Sequence, residues 1–253
     1  MKNHFFFSYV GNKRDEVEII YNKVKDGLNN IDTIIEPFCG SSAFSFYIAS
    51  LHPRRFKYVL NDNNKYLIQL YTIARSPTQF NKLVSKLNKM LVGLNKEKYN
   101  EYVNKDNFEG YILSHYIYAI RSGLFPNTGH IKTIENFMNA PIIEFLRTEN
   151  ITILNEEGIK CYEHYKKNKN NFIFLDPPYV VLNNDFYANA TLNIYEYLHH
   201  HNFKDEKAII CLVLEWSWII QLLFKGCYVY TYEKKYQTSK KDTIHAIIMN
   251  RKK

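Results

Sequence analysis

The sequence predicts an α/β fold in which helices cover a mostly parallel sheet that ends in an antiparallel edge hairpin. Short apolar runs alternate with helical periodicity at both ends of the chain, which is the pattern of β-α-β units. A stretch with helical spacing and no strand alternation separates the two ends. The last two apolar runs have no helix between them, so we expect them to pair antiparallel at the carboxyl-terminal edge.

The amino-terminal part contains four predicted elements. Residues 33–38 predict a strand that stops at a Gly-Ser turn, and a helix follows over Ala43–Leu51 until His52-Pro53 ends it. Lys57–Asn61 predicts the next strand, and residues 63–74 predict the next helix. Because a helix connects the two strands, we expect them to lie parallel in one sheet.

The middle of the chain is predicted to be an inserted helical subdomain over residues 76–147. Phe80, Leu83 and Leu87 keep helical spacing, and residues 134–146 predict a later helix of the insert. The main domain would then consist of residues 1–75 and 148–253.

Sheet patterning resumes after the insert. Strands are predicted over 151–154, 172–175, 208–213, 228–236 and 243–249, and helices over Gly158–Tyr165 and 217–224. The last two strands form the expected hairpin. Trp216 and Trp218 are predicted to be core side chains, with a stacking platform for a base as the alternative.

Composition excludes several classes of protein. Hydrophobic residues make up 46% of the 253 residues and charged residues 23%, so the chain can bury a core. The apolar runs are too short for a membrane span, and the first one is too short for a secretory signal. We therefore expect a protein of the cytoplasm or nucleus that is not secreted and has no membrane partner.

The cysteines and histidines do not indicate a metal site. The four cysteines lie far apart without ligand spacing, which favours reduced, mostly buried thiols. The triplet His199-His200-His201 places neighbouring side chains on different faces of a helix, so a polar helix end is the preferred interpretation. We expect no bound metal.

The net charge of +8 is unevenly placed. Residues 225–253 contain eight Lys or Arg against two acidic residues, and the first fourteen residues add three cations and no acid. Such a basic segment suits a polyanionic partner. The alternative is that lysine is abundant everywhere and the charge only keeps the surface solvated.

The sharpest motif is Asp176-Pro177-Pro178-Tyr179, directly after a predicted strand. Ligands of open α/β sheets bind at the carboxyl ends of strands. Two prolines fix an extended turn and remove two N–H donors, so the Asp176 carboxylate and nearby carbonyls remain as acceptors. With the flat ring of Tyr179, they suit an amino group on a planar heterocycle. The alternative is an ordinary proline-containing loop.

Two upstream strand ends indicate a neighbouring cofactor site. The small-residue turn at Gly40, Ser41 and Ser42 allows a ligand to approach the backbone closely. Asp62 follows the next strand roughly 20 residues later, where a carboxylate binds the ribose of a nucleoside cofactor. We therefore expect a nucleoside-bearing cofactor beside the amino-bearing ring.

These motifs resemble the DNA adenine-N6 methyltransferases of the Dam type, which use S-adenosylmethionine. DPPY is similar to their catalytic motif, IIEPFCGSSAF to their cofactor motif and YVLNDNNKYLIQLY to the segment that follows it. FSYVGNK is similar to their amino-terminal motif, and DTIHAIIMN to their last strand. The motif order is that of the alpha group. The resemblance covers nearly the whole chain and is loose over residues 76–147.

The resemblance implies a Rossmann-like class I methyltransferase sheet and a target-recognition role for the inserted subdomain. The implied enzyme transfers a methyl group from S-adenosylmethionine to N6 of a flipped-out adenine in double-stranded DNA. Either a monomer or a homodimer is compatible with the sequence. Asp176 favours adenine, because glutamine methyltransferases carry NPPY and cytosine-N4 enzymes more often carry SPPY. The rival functions are a DNA-binding protein that has lost catalysis and an RNA adenine methyltransferase.

The resemblance also implies the site residues. The catalytic residues are Asp176, Pro177, Pro178 and Tyr179. The cofactor-binding residues are Tyr9, Lys13, Phe38, Gly40, Ser42, Asp62, Asn155, Glu156 and Asp176. The residues at the nucleic acid are Arg121, Asn127, Lys132, Lys240 and Lys241. The alternatives are helix packing for Phe38, a helix cap for Asn155 and Glu156, and a solvated face for the basic residues of the insert.

Three positions depart from the family pattern. Asn12 replaces a glycine of the amino-terminal motif, and the insert matches the family's recognition stretch only in part. Ser42 stands where the second glycine of the cofactor motif is usual. We interpret Ser42 as the cap of the helix that begins at Ala43, with crowding of the cofactor as the alternative.

Overall fold

The computed structural model describes residues 13–105, 107–113, 140–178, 197–198, 203–235 and 242–251. Its sheet has seven strands in the order β3-β2-β1-β4-β5-β7-β6. The strands are β1 (Thr33–Glu36), β2 (Lys57–Asn61), β3 (Asn150–Leu154), β4 (Asn171–Leu175), β5 (Ile209–Glu215), β6 (Tyr228–Lys235) and β7 (Asp242–Met249). The pairings among β1 to β5 are parallel, and β7 runs antiparallel to β5 and β6. The predicted α/β fold and its edge hairpin are confirmed.

The described α-helices cover this sheet. They are α1 (Val17–Val24), α2 (Ala43–Leu51), α3 (Lys65–Arg75), α4 (Pro77–Leu91), α5 (Lys96–Asn104), α6 (Phe108–Ile112), α7 (Ala140–Thr148), α8 (Gly158–Tyr165) and α9 (Trp218–Leu223). α1 was not predicted, although Val17, Ile20 and Val24 follow the spacing of a buried helical face.

The centre of the sheet is apolar because β4 lies between two parallel neighbours. All five residues of β4 are buried, and Phe44 of α2 stacks on Phe174 with ring centroids 4.3 Å apart. The strand order changes direction between β1 and β4, which are paired in the sheet. At such a switch point the carboxyl ends of the strands border a crevice where ligands bind.

The described helices of the middle region pack onto the main domain. The Phe145 ring contacts the rings of Phe46 and Tyr58 at centroid distances of 5.9 and 5.4 Å. The Arg147 side chain donates a hydrogen bond of 2.9 Å to the Ala74 carbonyl. The assignment of residues 76–147 to a recognition subdomain stays a proposal.

Two predictions about individual positions were wrong. The third helix begins at Lys65 instead of residue 63, because the Asn64 side chain caps it by accepting from the N–H groups of Tyr66 and Leu67. Trp218 is 70% exposed and is not a core residue, since α9 turns its Ile220 and Leu223 side chains toward the core instead.

The four cysteines, all within the described ranges, are reduced thiols and three of them are buried, as the sequence predicted. No three His, Cys, Asp or Glu side chains of the described ranges are grouped to hold a metal ion. Within the same ranges, every helix is too short or too polar to cross a membrane.

Candidate active site

The end of β4 places Asp176 beside Lys13. The Lys13 Nζ lies 2.7 Å from the Asp176 Oδ1, and the two side chains are 3% and 18% exposed. Burial raises the pKa of Asp176 above its ordinary value, while the neighbouring Lys13 ammonium acts in the opposite direction. Pro177 is buried and Pro178 half-buried directly after this carboxylate. The structure thus brings together Lys13 of the amino-terminal motif and Asp176 of the DPPY motif, which are far apart in the sequence.

Hydrogen bonds to the end of β2 and to a side chain of α3 hold the turn after β1. The Cys39 N–H donates to the Asn61 carbonyl at 2.8 Å, and the Tyr71 hydroxyl donates to the Gly40 carbonyl at 2.5 Å. Gly40 has a φ of +46°, a conformation that glycine adopts without steric cost. This glycine is therefore required by the shape of the turn.

Asp62 joins the turns that follow β1 and β2. Its Oδ2 accepts from the Gly40 N–H at 3.0 Å, and its Oδ1 accepts from the Asn64 N–H at 2.9 Å. Burial raises the pKa of Asp62, and these two N–H donors oppose that effect. Asp62 lies at the predicted cofactor turn and also braces it.

The structure contradicts the interpretation of Ser42 as a helix cap. Ser42 precedes α2 with φ 53° and ψ 33°, and its side chain makes no capping hydrogen bond. A capping serine adopts extended backbone, whereas a left-handed residue directs its side chain elsewhere. The buried Glu36 carboxyl group fills this place instead, since its Oε1 accepts from the Ser45 N–H at 2.8 Å.

Replacing Ser42 with glycine should therefore raise the free energy of unfolding by about 0.5–1 kcal/mol. Relief of the left-handed strain outweighs the larger conformational entropy of an unfolded glycine. Ser42→Ala removes the hydroxyl and keeps the strain, so it is the matched control and should stay within about 0.5 kcal/mol of the wild type. Urea unfolding of both variants measures this. A loss of stability in Ser42→Gly would contradict the strain argument.

Asn155 and Glu156 secure the end of β3 to the end of β2. The Asn155 amide donates to the Asp62 carbonyl at 2.8 Å, and the Glu156 N–H donates to the Asn61 Oδ1 at 3.0 Å. Glu157 is the residue that precedes α8, and it makes no side-chain cap. The helix-cap alternative for Asn155 and Glu156 is therefore wrong, and their cofactor contacts stay a prediction.

Phe38 packs over the start of α8. A Cβ added at Gly158 would lie 2.3 Å from the Phe38 Cε1, so this ring and the glycine backbone are in close contact. The ring is still half-buried at the carboxyl end of β1. Its position fits both helix packing and an aromatic wall of the predicted cofactor site.

Sequence reasoning missed two residues that build this site. Asn61 is completely buried, and its amide donates to the carbonyls of Pro37 and Glu156 at 2.8 and 3.0 Å. Tyr71 is also buried, and its hydroxyl reaches the Gly40 carbonyl. The signal for Asn61 was a polar residue at the end of a buried strand, directly before a candidate site residue.

Several predicted site residues lie outside the described residues. They are Tyr9, Arg121, Asn127, Lys132, Tyr179, Lys240 and Lys241, and the histidines at 199–201 lie there as well. The roles assigned to them stay predictions.

Comparisons with known proteins show the family of the chain. The chain matches the model of the D12 class N6 adenine-specific DNA methyltransferases over residues 9–210. It is 27% identical over 245 residues to the Type II methyltransferase M.CviBI of Paramecium bursaria Chlorella virus NC1A, covering 90% of this chain and 88% of that protein.

Two solved structures are similar over most of their length. The putative methyltransferase yhhF from Escherichia coli has a TM-score of 0.38 and 12% identity, covering 94% of this chain and 86% of that one. The precorrin-6y C5,15-methyltransferase from Geobacter metallireducens GS-15 has a TM-score of 0.40 and 10% identity, covering 97% and 92%. Since the family model spans well over half of the chain, including the turn after β1, Asp62 and the DPPY motif, the chain belongs to the D12 class N6 adenine-specific DNA methyltransferases.

Proposed function

We propose that this DNA methyltransferase transfers a methyl group from S-adenosylmethionine to N6 of a flipped-out adenine. The observation that carries the proposal is the Asp176 carboxylate at the end of β4, fixed by Lys13 at 2.7 Å. It lies at the switch point of the sheet, where the β1 turn and Asp62 border the same crevice.

The residues at the crevice fit S-adenosylmethionine by their chemistry. Asp62 keeps lone pairs beyond its two N–H bonds, and these suit the hydroxyl groups of a ribose. Lys13 is a cation that suits the carboxylate of the methionine part, and Phe38 offers an aromatic face to the adenine ring. Gly40 has no side chain to obstruct the approach to the turn. When bound, the cofactor supplies an electrophilic methyl group.

Asp176 orients the amino group of the target base. Its carboxylate and the Pro177 carbonyl accept the two N–H bonds of N6, so that the nitrogen lone pair is directed at the methyl group. The amino group lies inside a base pair in duplex DNA, so the adenine must leave the stack, and Tyr179 would stack on it. Asp176 need not be a strong base, because the methylated nitrogen loses its proton readily.

The remaining contacts to DNA are assigned to the insert and the carboxyl-terminal segment. Arg121, Asn127 and Lys132 would contact the target site from the region 76–147. Lys240 and Lys241 would neutralise phosphates next to the hairpin, which makes binding sensitive to salt.

The test is methylation of a mixed-sequence DNA by the purified chain with S-adenosylmethionine. Single-molecule sequencing then locates the modified bases, and an RNA of the same sequence is the parallel substrate. We expect N6-methyladenine in DNA at a defined sequence context. Calorimetry of the cofactor is run alongside. No methylation together with no heat at millimolar cofactor would overturn the proposal in favour of a non-catalytic DNA-binding protein, and methylated RNA alone would assign the other substrate.

Asp62→Ala should weaken the binding of S-adenosylmethionine roughly 10- to 150-fold, because a charge-assisted hydrogen bond is worth about 1.5–3 kcal/mol. It also removes the acceptor for two N–H groups, so the melting temperature should fall. Asp205→Asn, at an exposed position away from the turn, is the control. Calorimetry below the melting temperature measures the affinity. An unchanged dissociation constant would mean that Asp62 only braces the two turns.

A further inference from the structure

A buried cluster of polar side chains surrounds Glu16, three residues after the Lys13 that pairs with Asp176. The Glu16 side chain is 4% exposed and accepts hydrogen bonds from the Tyr232 hydroxyl and the Lys234 ammonium, each at 2.5 Å. The His245 Nδ1 lies 3.0 Å from the Glu16 Oε2. This cluster joins the turn before α1 to the hairpin of β6 and β7.

The hairpin presents these three partners from one face. Tyr232 and Lys234 are two residues apart on β6, so their side chains point to the same side of the sheet. His245 of β7 is paired with Tyr232, and their ring centroids are 5.7 Å apart. The register of an antiparallel pair therefore fixes where Glu16 is held.

Glu16 is also tied to Lys13. The N–H groups of Glu16 and Val17 both donate to the Lys13 carbonyl at 2.8 Å, which closes the turn that carries the Lys13 side chain. Burial raises the pKa of Glu16, but the neighbouring His245 and the charges of Lys13 and Lys234 lower it to about 2. Glu16 is therefore an anion at neutral pH, and charges alternate in the series Asp176, Lys13, Glu16, Lys234.

Stability alone does not account for such a cluster. Removing several charges from water is costly, and apolar side chains of similar size would join α1 to the hairpin at least as well. A buried charge network does fix geometry, because each partner has a defined direction. The geometry that this network would fix is the position of the Lys13 ammonium relative to the Asp176 carboxylate at the end of β4.

We propose that Glu16 is a positioning residue for Asp176. Tyr232, Lys234 and His245 anchor the Glu16 carboxylate on the hairpin. Glu16 in turn holds the Lys13 ammonium against the Asp176 carboxylate. The inference rests on the proposed function, since the orientation of Asp176 matters for the adenine amino group. It makes the carboxyl-terminal hairpin part of the catalytic apparatus, although that hairpin lies at the far edge of the sheet.

The proposal has an electrostatic consequence with a defined sign. Several described groups interact electrostatically with Asp176. They include Lys13, Glu16, Lys234, Glu36 and Tyr232, and His245 lies next to Glu16. Glu16 raises the pKa of Asp176, and Lys234 lowers it. Because the ionised Asp176 carboxylate is a stronger acceptor for the amino group than the protonated acid, the acidic limb of the kcat profile should follow the Asp176 pKa. Removing Glu16 moves that limb to lower pH, and removing Lys234 moves it to higher pH.

The experiment compares Glu16→Gln, Lys234→Gln and the wild type in steady-state methylation of DNA from pH 5 to 9. We expect Glu16→Gln to lower kcat about tenfold or more, because a misplaced group costs rate, with little change in the KM for DNA. The acidic limbs of the two variants should move in opposite directions. Glu16→Asp, which keeps the charge, should leave the limb in place and recover part of kcat. Glu18→Gln, the same change at an exposed position of α1, is the matched control and should behave as the wild type.

A second measurement does not depend on turnover. The carbon-13 signal of the Asp176 carboxyl is assigned by its loss in Asp176→Asn and titrated in the wild type, Glu16→Gln and Glu16→Asp. A lower titration midpoint in Glu16→Gln alone supports the proposal. Glu16→Gln could instead lower only the melting temperature and leave kcat, the acidic limb of the kcat profile and the titration midpoint of Asp176 unchanged. The cluster would then be structural, and the proposal would be overturned. A wild-type chain that methylates nothing would instead remove the proposed function, and the titration would still decide whether Glu16 acts on Asp176.

Discussion

Asp176→Ala should abolish methyl transfer while DNA affinity stays nearly unchanged. In the proposed mechanism the carboxylate holds the amino group in the direction of attack, and the loss of one preorganised group of this kind costs about 100- to 1000-fold in kcat. Affinity for DNA comes mostly from phosphate contacts, which this change does not touch. Single-turnover methylation and a salt-controlled binding titration measure the two effects separately.

Two further variants separate chemistry from folding. Asp176→Ala leaves the Lys13 ammonium, 3% exposed, without that carboxylate, so it should also lower the melting temperature. Asp176→Asn keeps the size and one acceptor oxygen, and should lose rate with a smaller loss of stability. Asp26→Asn, at an exposed position, is the control for the same chemical change. Turnover near the wild-type rate in both Asp176 variants would exclude DPPY as the catalytic motif.

The sheet could be predicted from the sequence because local signals coincide with its elements. α2 and β2 have their predicted bounds, since His52-Pro53 ends the helix and a polar turn follows the strand. The first strand ends at Glu36 instead of residue 38, because Pro37 cannot donate to a ladder. The same patterns predict the strand ends, so the positions of Gly40, Asp62 and Asp176 directly after or close to them could be predicted as well.

The contacts between those residues could not be predicted. A serine before a helix is usually a cap, and no local pattern shows that Ser42 has left-handed backbone while Glu36 accepts the helix N–H. The pairing of Lys13 with Asp176 depends on how the turn before α1 packs against the end of β4. The Glu16 cluster depends on the register of β6 and β7. These are products of tertiary structure, which periodicity and motifs do not encode.

Glu36→Gln should make the protein more stable at alkaline pH and leave it unchanged near pH 5. Glu36 is 2% exposed, and burial, with a further contribution from the Asp176 charge, raises its pKa to about 8 from an ordinary value of 4.5. The folded state therefore holds this proton more tightly than the unfolded chain does. The resulting stabilisation is complete below about pH 4.5 and is lost as the pH rises through about 8.

The size of the effect distinguishes Glu36 from other carboxyl groups. Each unit of pKa difference is worth about 1.4 kcal/mol, so the wild type should lose a few kcal/mol across that window. Glutamine stays neutral and keeps the Oε1 acceptor for the Ser45 N–H, so the Glu36→Gln curve should be flatter. The low pKa of Glu16 has the opposite sign and acts only as the pH falls toward 2. Glu97→Gln, at an exposed position of α5, is the control and should follow the wild type.

The measurement also tests how the two carboxyl groups at neighbouring strand ends divide their roles. Glu36 ends β1 and Asp176 follows β4, and Asp176 has the Lys13 ammonium beside it. Burial, with a further contribution from the Asp176 charge, favours the protonated form of Glu36, whereas Asp176 has a cation beside it and would carry the charge in the proposed mechanism. Unfolding by urea between pH 5 and 9, repeated in Asp176→Asn, resolves the coupling. With the neutral Asn at position 176, the loss of stability should move to lower pH values, because the Asp176 charge contributes to the raised pKa of Glu36. If the free energy of unfolding depended on pH in the same way in the wild type and in Glu36→Gln, Glu36 would be ionised in the folded protein.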